Sequence, residues 1–175
     1  MAIPSLRTIG SAIINLLVSL TVFSSAAGCV NVDGGAIEAS WVLRTHDGRA
    51  IEGCGCADPA IARVRFAITP SVTEGSPPGS DLCAGRADCE FACPNQRGAT
   101  PFFVPAGRYA INIVVLGPDG LPVGVGGGPG AVRVPAPILR DVVYGQATQL
   151  EAIAIEAGCA ATCGGDVPTR ACSSD

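Results

Sequence analysis

The sequence predicts an all-β fold, an antiparallel β-sandwich of seven to eight short strands with one long loop stapled by disulfides. Three segments alternate apolar and polar residues with a period of two, and no segment shows the period of an amphipathic helix. The 175-residue chain also contains 9 cysteines, 23 glycines and 14 prolines. This composition is typical of short strands joined by turns and bridged by disulfides in an oxidising compartment.

The first two predicted strands lie before the loop. In residues 37–44 every second side chain is apolar, including Trp41, as a half-buried strand requires. Asp47-Gly48 then ends this strand as a turn. Residues 63–68 alternate again, with arginines on the polar face, and predict the second strand.

The loop covers residues 69–100, which lack sustained periodicity and contain three of the cysteines. A loop of this length inside a compact domain needs covalent cross-links, and disulfides between its cysteines can supply them. We expect it to contact an envelope protein or a small ligand, with Phe91 as an aromatic ring that can be presented outward. Its acids, Asp81, Asp88 and Glu90, are expected to be solvated, with a metal site as the alternative.

The remaining strands follow the loop. Residues 109–116 are apolar on both faces, which predicts a central strand. Short strands are predicted at 131–134, 140–144 and 149–155, after a glycine-rich flexible loop. In the last of these the apolar residues slip out of alternation, so a bulge is needed.

The segment Val104-Pro105-Ala106-Gly107-Arg108-Tyr109-Ala110-Ile111 contains the pattern Pro-x-Gly-x-Tyr. It resembles the start of a strand in extracellular β-sandwiches of the fibronectin-like, Ig-like and prealbumin-like classes. The resemblance implies a sandwich domain over residues 36–157 with Trp41 in its core. By analogy alone it also implies a binding or scaffolding role.

A leader precedes the domain. Residues 1–28 combine Arg7, an apolar run and a group of small residues, which is the pattern of an export signal peptide. The stretch Ala26-Ala27-Gly28-Cys29 resembles the lipobox of bacterial lipoproteins. The resemblance implies cleavage after Gly28, transfer of diacylglycerol to Cys29, and membrane attachment through that lipid.

The residue after Cys29 is Val30 rather than Asp. By the same resemblance this implies the outer membrane of the bacterial cell envelope. Lipoboxes usually carry Leu at the position of Ala26, so ordinary cleavage and secretion is one alternative. A retained membrane anchor is the other, although the apolar run falls short of the roughly 20 residues that a spanning helix needs. Residues 29–35 are predicted to form a lipidated, polar tether.

The odd number of cysteines agrees with a lipidated Cys29. If the lipid occupies that thiol, the others can pair completely in an oxidising compartment, and their connectivity stays open. The closely spaced Cys54 and Cys56 are expected to find different partners, within residues 83–93 and within the tail at 158–175. The disulfide candidates are Cys54, Cys56, Cys83, Cys89, Cys93, Cys159, Cys163 and Cys172.

Charge and missing motifs exclude several function classes. Every basic residue is arginine, and the mature chain has 10 arginines against 15 acids, a charge that does not attract nucleic acid. The only histidine, His46, is expected to be a solvated turn residue rather than a general base. The chain has neither a lysine for a Ser-Lys pair nor a Gly-x-Ser-x-Gly nucleophile elbow, so nucleophilic hydrolysis is not expected.

The leading hypothesis is therefore a non-enzymatic, lipid-anchored cell-envelope protein with a binding or scaffolding role. It predicts no catalytic residue, no metal and no cofactor. The alternative is a small secreted hydrolase or a metal-dependent protein that uses the acids of the disulfide loop.

Overall fold

The structure, a computed structural model, describes residues 32–71, 79–124 and 131–160. These residues form an all-β domain, as the sequence predicts. Their strands are β1 (Ala36–Thr45), β2 (Ala57–Asp58), β3 (Arg63–Pro70), β4 (Glu90–Ala92), β5 (Arg97–Ala99), β6 (Gly107–Leu116), β7 (Ile138–Val142), β8 (Ala147–Gln149) and β9 (Ile153–Cys159). Short 3-10 helices cover Cys54–Cys56, Ala87–Cys89 and Cys93–Asn95.

The first sheet has the strand order β2-β9-β1-β5, and β8 also pairs with β1. β1 runs parallel to both β8 and β9, whereas the other pairs in this sheet are antiparallel. The sheet is therefore mixed, which corrects the prediction of a wholly antiparallel arrangement. β1 and β9 lie far apart in the chain, so no tight hairpin forces them to run in opposite directions.

A bulge separates β8 from β9. Between the pairs Glu38↔Gln149 and Trp41↔Ile153, β1 advances three residues while its partner advances four. The extra residue allows Leu150 and Ile153 both to point into the core, where both are buried. The bulge expected from the broken alternation is thus confirmed.

The second sheet has the strand order β4-β3-β6-β7 and is antiparallel throughout. β3 and β6 pair along their length, from Arg63↔Leu116 to Pro70↔Tyr109. β6 therefore has a neighbour on each side and is the central strand that the sequence predicts. Its alternate residues from Tyr109 to Val115 are buried, which places them on the core face.

One cluster of buried residues includes the inward faces of both sheets, with Trp41 and Phe66 as its largest side chains. The indole Nε1 of Trp41 donates a 3.0 Å hydrogen bond to the backbone carbonyl of Cys93. Burial of an aromatic ring removes about 200 Å² from water and contributes about 5 kcal/mol before entropy is counted. Because its only polar atom is paired, Trp41 occupies the core without an unsatisfied donor.

Residues 69–100 are not one irregular loop. Within this segment β4 extends the edge of the second sheet and β5 extends the edge of the first. Each strand has only three residues, too few for alternation to be recognised in the sequence. The segment is therefore a crossover between the sheets, in which the short helix Cys93–Asn95 connects the two strands.

The predicted tether at residues 29–35 is shorter than expected. Asp33 donates its backbone N–H to Phe102 O, and Gly35 pairs with Val104 in a β-bridge. A Cβ atom on Gly34 would lie 2.9 Å from the carbonyl carbon of Phe103, so glycine permits this close approach. Residues 33–35 are therefore part of the domain.

The strand predicted at 131–134 is reduced to a bridge between Arg133 and Glu156 of β9. Several predictions fall outside the described residues: the leader 1–28, Cys29, the loop 125–130, Cys163 and Cys172. Within the described ranges, no helix has the length and apolar character needed to cross a membrane.

Candidate functional site

Disulfides fix the crossover between the sheets. Cys54 pairs with Cys93, and Cys83 pairs with Cys89. The first pair confirms that Cys54 finds its partner within residues 83–93 and not in Cys56. Cys56 and Cys159 are also disulfide-bonded. The sulfur chemistry of this region is therefore structural, since all four cysteines of the two named pairs are buried.

The acids of the predicted loop face arginines or backbone amides. Asp81 accepts hydrogen bonds from the backbone N–H groups of Ile68 and Cys83 and lies 3.5 Å from Arg65. Asp81 thus holds the chain at Cys83 against β3.

The two other acids make ion pairs with neighbouring arginines. Glu90 pairs with Arg63 at 3.0 Å, and Asp88 pairs with Arg86 at 2.6 Å. The hydrogen bond from Arg86 holds the pKa of Asp88 below its ordinary value. Among the described residues, no group of three or more potential ligands is placed to hold a metal ion.

Phe91 points inward, contrary to the expectation that its ring can be presented outward. Its ring centroid lies 4.9 Å from that of Phe66 and 6.5 Å from that of Trp41. Gly98 of β5 lies under the ring, in direct contact with it. Phe91 therefore packs the two sheets together and is not a platform for a ligand.

A groove of about 620 Å³ lies between β7, β9 and the segment that precedes β7. Its apolar lining comes from Val134, Pro135, Ile138, Ala152, Ile153 and Ala154. Its charged lining comes from Arg133, Arg140, Glu151 and Glu156. The groove thus combines an apolar floor with two cations and two anions, as in many sites for small ligands.

The charges of the groove are held in loose pairs. Arg140 lies 3.9 Å from Glu151, and Arg133 lies 3.7 Å from Glu156. Glu156 also lies 3.7 Å from Nδ1 of His46, at the edge of the groove. Exposed pairs at such distances contribute about 0 to 1 kcal/mol, so a ligand can replace either partner at little cost.

His46 lies in the turn after β1, as predicted, and its carboxylate neighbour comes from β9. In the same turn the Thr45 hydroxyl donates to the Asp47 carboxylate, and with Arg49 it holds the pKa of Asp47 below its ordinary value. The described lining of the groove beside His46 contains no serine, threonine or cysteine. The arrangement therefore offers charge and shape for binding, and its described lining supplies no hydroxyl or thiol nucleophile.

Sequence reasoning missed the groove. Its charged residues come from three separate segments, and each is an ordinary surface residue in its own segment. The bridge between Arg133 and Glu156, the bulge before β9 and the edge position of β7 in its sheet bring them to one place.

Comparisons with protein-family models, with curated proteins and with solved structures found no match to this chain. Function therefore has to be inferred from the geometry of the described residues.

Proposed function

We propose that this chain is a non-enzymatic, lipid-anchored protein of the bacterial cell envelope, held in the outer membrane through Cys29. Its domain binds a small ligand in the groove between β7 and β9. The lipobox resemblance and the odd number of cysteines support the anchor. The groove supports the binding role.

The observation that carries the binding proposal is the presence of Arg133 and Arg140 above an apolar floor. A guanidinium group binds a carboxylate through paired N–H donors, and the neighbouring glutamates Glu151 and Glu156 can accept an ammonium group. Opposite charges beside apolar surface suit a zwitterion with an apolar part. The ligand class is therefore a short apolar peptide or an apolar amino acid.

We place binding in this groove rather than in residues 69–100. The described acids of that segment already pair with arginines or backbone amides, and the partly buried Phe91 packs against the core. Hydrolysis is the weaker proposal because the described lining of the groove supplies no hydroxyl or thiol nucleophile.

We also propose that the two sheets form a sandwich of the Ig-like or prealbumin-like class. The single core shared by both sheets supports this, as does the burial of Tyr109 in the Pro-x-Gly-x-Tyr motif. Gly107 of the same motif has a φ of 156°, which glycine adopts without strain.

Titration with leucyl-leucine, followed by NMR or calorimetry, tests the groove. The variants Arg133→Gln and Arg140→Gln should each weaken binding by about tenfold, since each removes a charge-assisted hydrogen bond. Arg97→Gln is the matched control, because Arg97 is an exposed arginine of β5 outside the groove. An equal loss in all three variants, or no saturable binding by the parent protein, contradicts the proposal.

Fatty-acid labelling in cells tests the anchor. The parent chain should incorporate label, and Cys29→Ser should not. Incorporation that persists in Cys29→Ser refutes lipidation at this residue. Mass analysis without reductant should find no free thiol among the other cysteines of the mature chain.

A further inference from the structure

The chain leaves the described domain at one end of its sheets, next to uncharged and aromatic surface. Val32 is the first described residue, and its carbonyl accepts a hydrogen bond from the Tyr144 hydroxyl. Asp33 is hydrogen-bonded to Phe102. We call this surface the tether end and define it by Val32, Phe102, Val143 and Tyr144.

Apolar side chains are exposed at the tether end. Tyr144 is 61% exposed and Val143 is 49% exposed, although both follow directly on the buried Val142 of β7. Contiguous exposed apolar surface, rather than single exposed residues, marks a contact with another protein or a membrane.

The sequence around the tether end lacks charge. Residues 98–107 and 142–150, which form its loops, contain no acidic or basic residue. The nearby charges are Asp33, the cross-strand neighbours Arg108 and Asp141, and the pair Arg86–Asp88, in which Arg86 also lies 3.8 Å from the ring centroid of Phe103. The opposite end of β1, by contrast, carries the charged turn of residues 44–49.

The short tether keeps the tether end close to the lipid on Cys29. Val32 follows the lipid-bearing Cys29 of the proposed function by three positions in the chain, which span at most about 11 Å. The tether end is therefore held at the headgroup layer of the membrane. Tyrosine and other aromatic rings are enriched at that layer, where one part of the ring is apolar and the other is polar.

We propose that the tether end lies on the membrane, with Val143 and Tyr144 inserted into the lipid interface. The inference rests on the proposed lipidation of Cys29. It assigns the bilayer surface as the partner of this patch and gives the domain a fixed orientation. The far turn with His46 then points away from the membrane, since β1 is about 30 Å long.

The test uses the full lipidated chain reconstituted into phosphatidylcholine vesicles with or without brominated acyl chains. In Tyr144→Trp the new indole should lose emission in the brominated vesicles, as expected for an aromatic ring at the membrane interface. His46→Trp is the matched control at the far end and should not be quenched. The parent spectrum, from the buried Trp41, is subtracted and also reports that each variant is folded.

The outcomes separate the two proposals. Mass analysis of the N-terminal peptide shows whether Cys29 carries lipid, and a protein without lipid overturns both the anchor and the orientation. If the protein is lipidated but the new indole of Tyr144→Trp is quenched no more than that of His46→Trp, the orientation alone is overturned. A second copy covering Tyr144 would give that result together with energy transfer between labelled copies.

Discussion

The indole nitrogen of Trp41 donates its hydrogen bond to the backbone of Cys93, the residue that is joined by a disulfide to Cys54. The largest core side chain of the first sheet is thus attached to the crossover that connects the sheets. This contact explains why Trp41 is fully buried yet satisfied, and it makes the position of Cys93 important for both sheets.

Removal of the Cys54–Cys93 disulfide should destabilise the domain more than removal of Cys83–Cys89. The two bridges close chain segments of 39 and 6 residues. Loop-closure entropy then predicts losses of about 4 kcal/mol for Cys54→Ala with Cys93→Ala and about 2.2 kcal/mol for Cys83→Ala with Cys89→Ala. Urea unfolding of the two double variants measures the order, and a larger loss for the shorter bridge would contradict the prediction.

Replacement of Gly98 by alanine should force Phe91 out of its position. The added Cβ atom would collide with the ring, which is itself confined by Phe66. Overpacking of this kind costs about 1 to 3 kcal/mol. Gly55→Ala is the control, because a Cβ there meets no atom within 4 Å, and its free energy of unfolding should change by less than about 0.5 kcal/mol.

Thr100 should contribute to the stability of the domain through its hydroxyl group rather than through its volume. Its Oγ1 accepts a 3.0 Å hydrogen bond from the buried backbone N–H of Ile37. Thr100→Val keeps the shape but leaves this donor unpaired, which costs about 1 to 3 kcal/mol. Thr100→Ser should restore most of the loss in chemical denaturation. Thr148→Val, whose hydroxyl bond is exposed, should have little effect.

Tyr109 should make the stability of the domain fall at high pH. Burial raises the pKa of its hydroxyl above the ordinary value of 10.0. The unfolded chain therefore loses the proton first, so the free energy of unfolding decreases as the pH rises above about 10. In Tyr109→Phe the decrease should be smaller. Unfolding measured between pH 8 and pH 11 checks this, with Tyr144→Phe as the exposed control, and an identical pH slope in parent and Tyr109→Phe would refute it.

The strands with clear alternation could be predicted from the sequence, and the short ones could not. β1, β3 and β6 are each at least eight residues long and place alternate residues in the core, so their pattern is visible. β2 has two residues, and its pairing depends on β9, about 100 residues later in the chain. The parallel pairing of β1 with β9 also cannot be recognised in the sequence, because buried and exposed side chains alternate in the same way in parallel and antiparallel strands.

The candidate site depended even more on distant contacts. Arg133 becomes part of the groove only because it bridges to Glu156, and Arg140 only because β7 lies at the edge of its sheet. The local sequence around each arginine gives no indication of the other. By contrast, the inward position of Phe91 could have been suspected from its place between Cys89 and Cys93, since both are buried.

The pairing of β1 with β9 also determines when this domain can fold. Trp41 pairs with Ile153, 112 positions later in the chain, so the centre of the first sheet cannot form until the last strand has been synthesised. Until β9 has been made, β1 lacks its principal neighbour. A chain that ends before β9 would therefore leave Trp41 and the rest of β1 without their principal pairing partner.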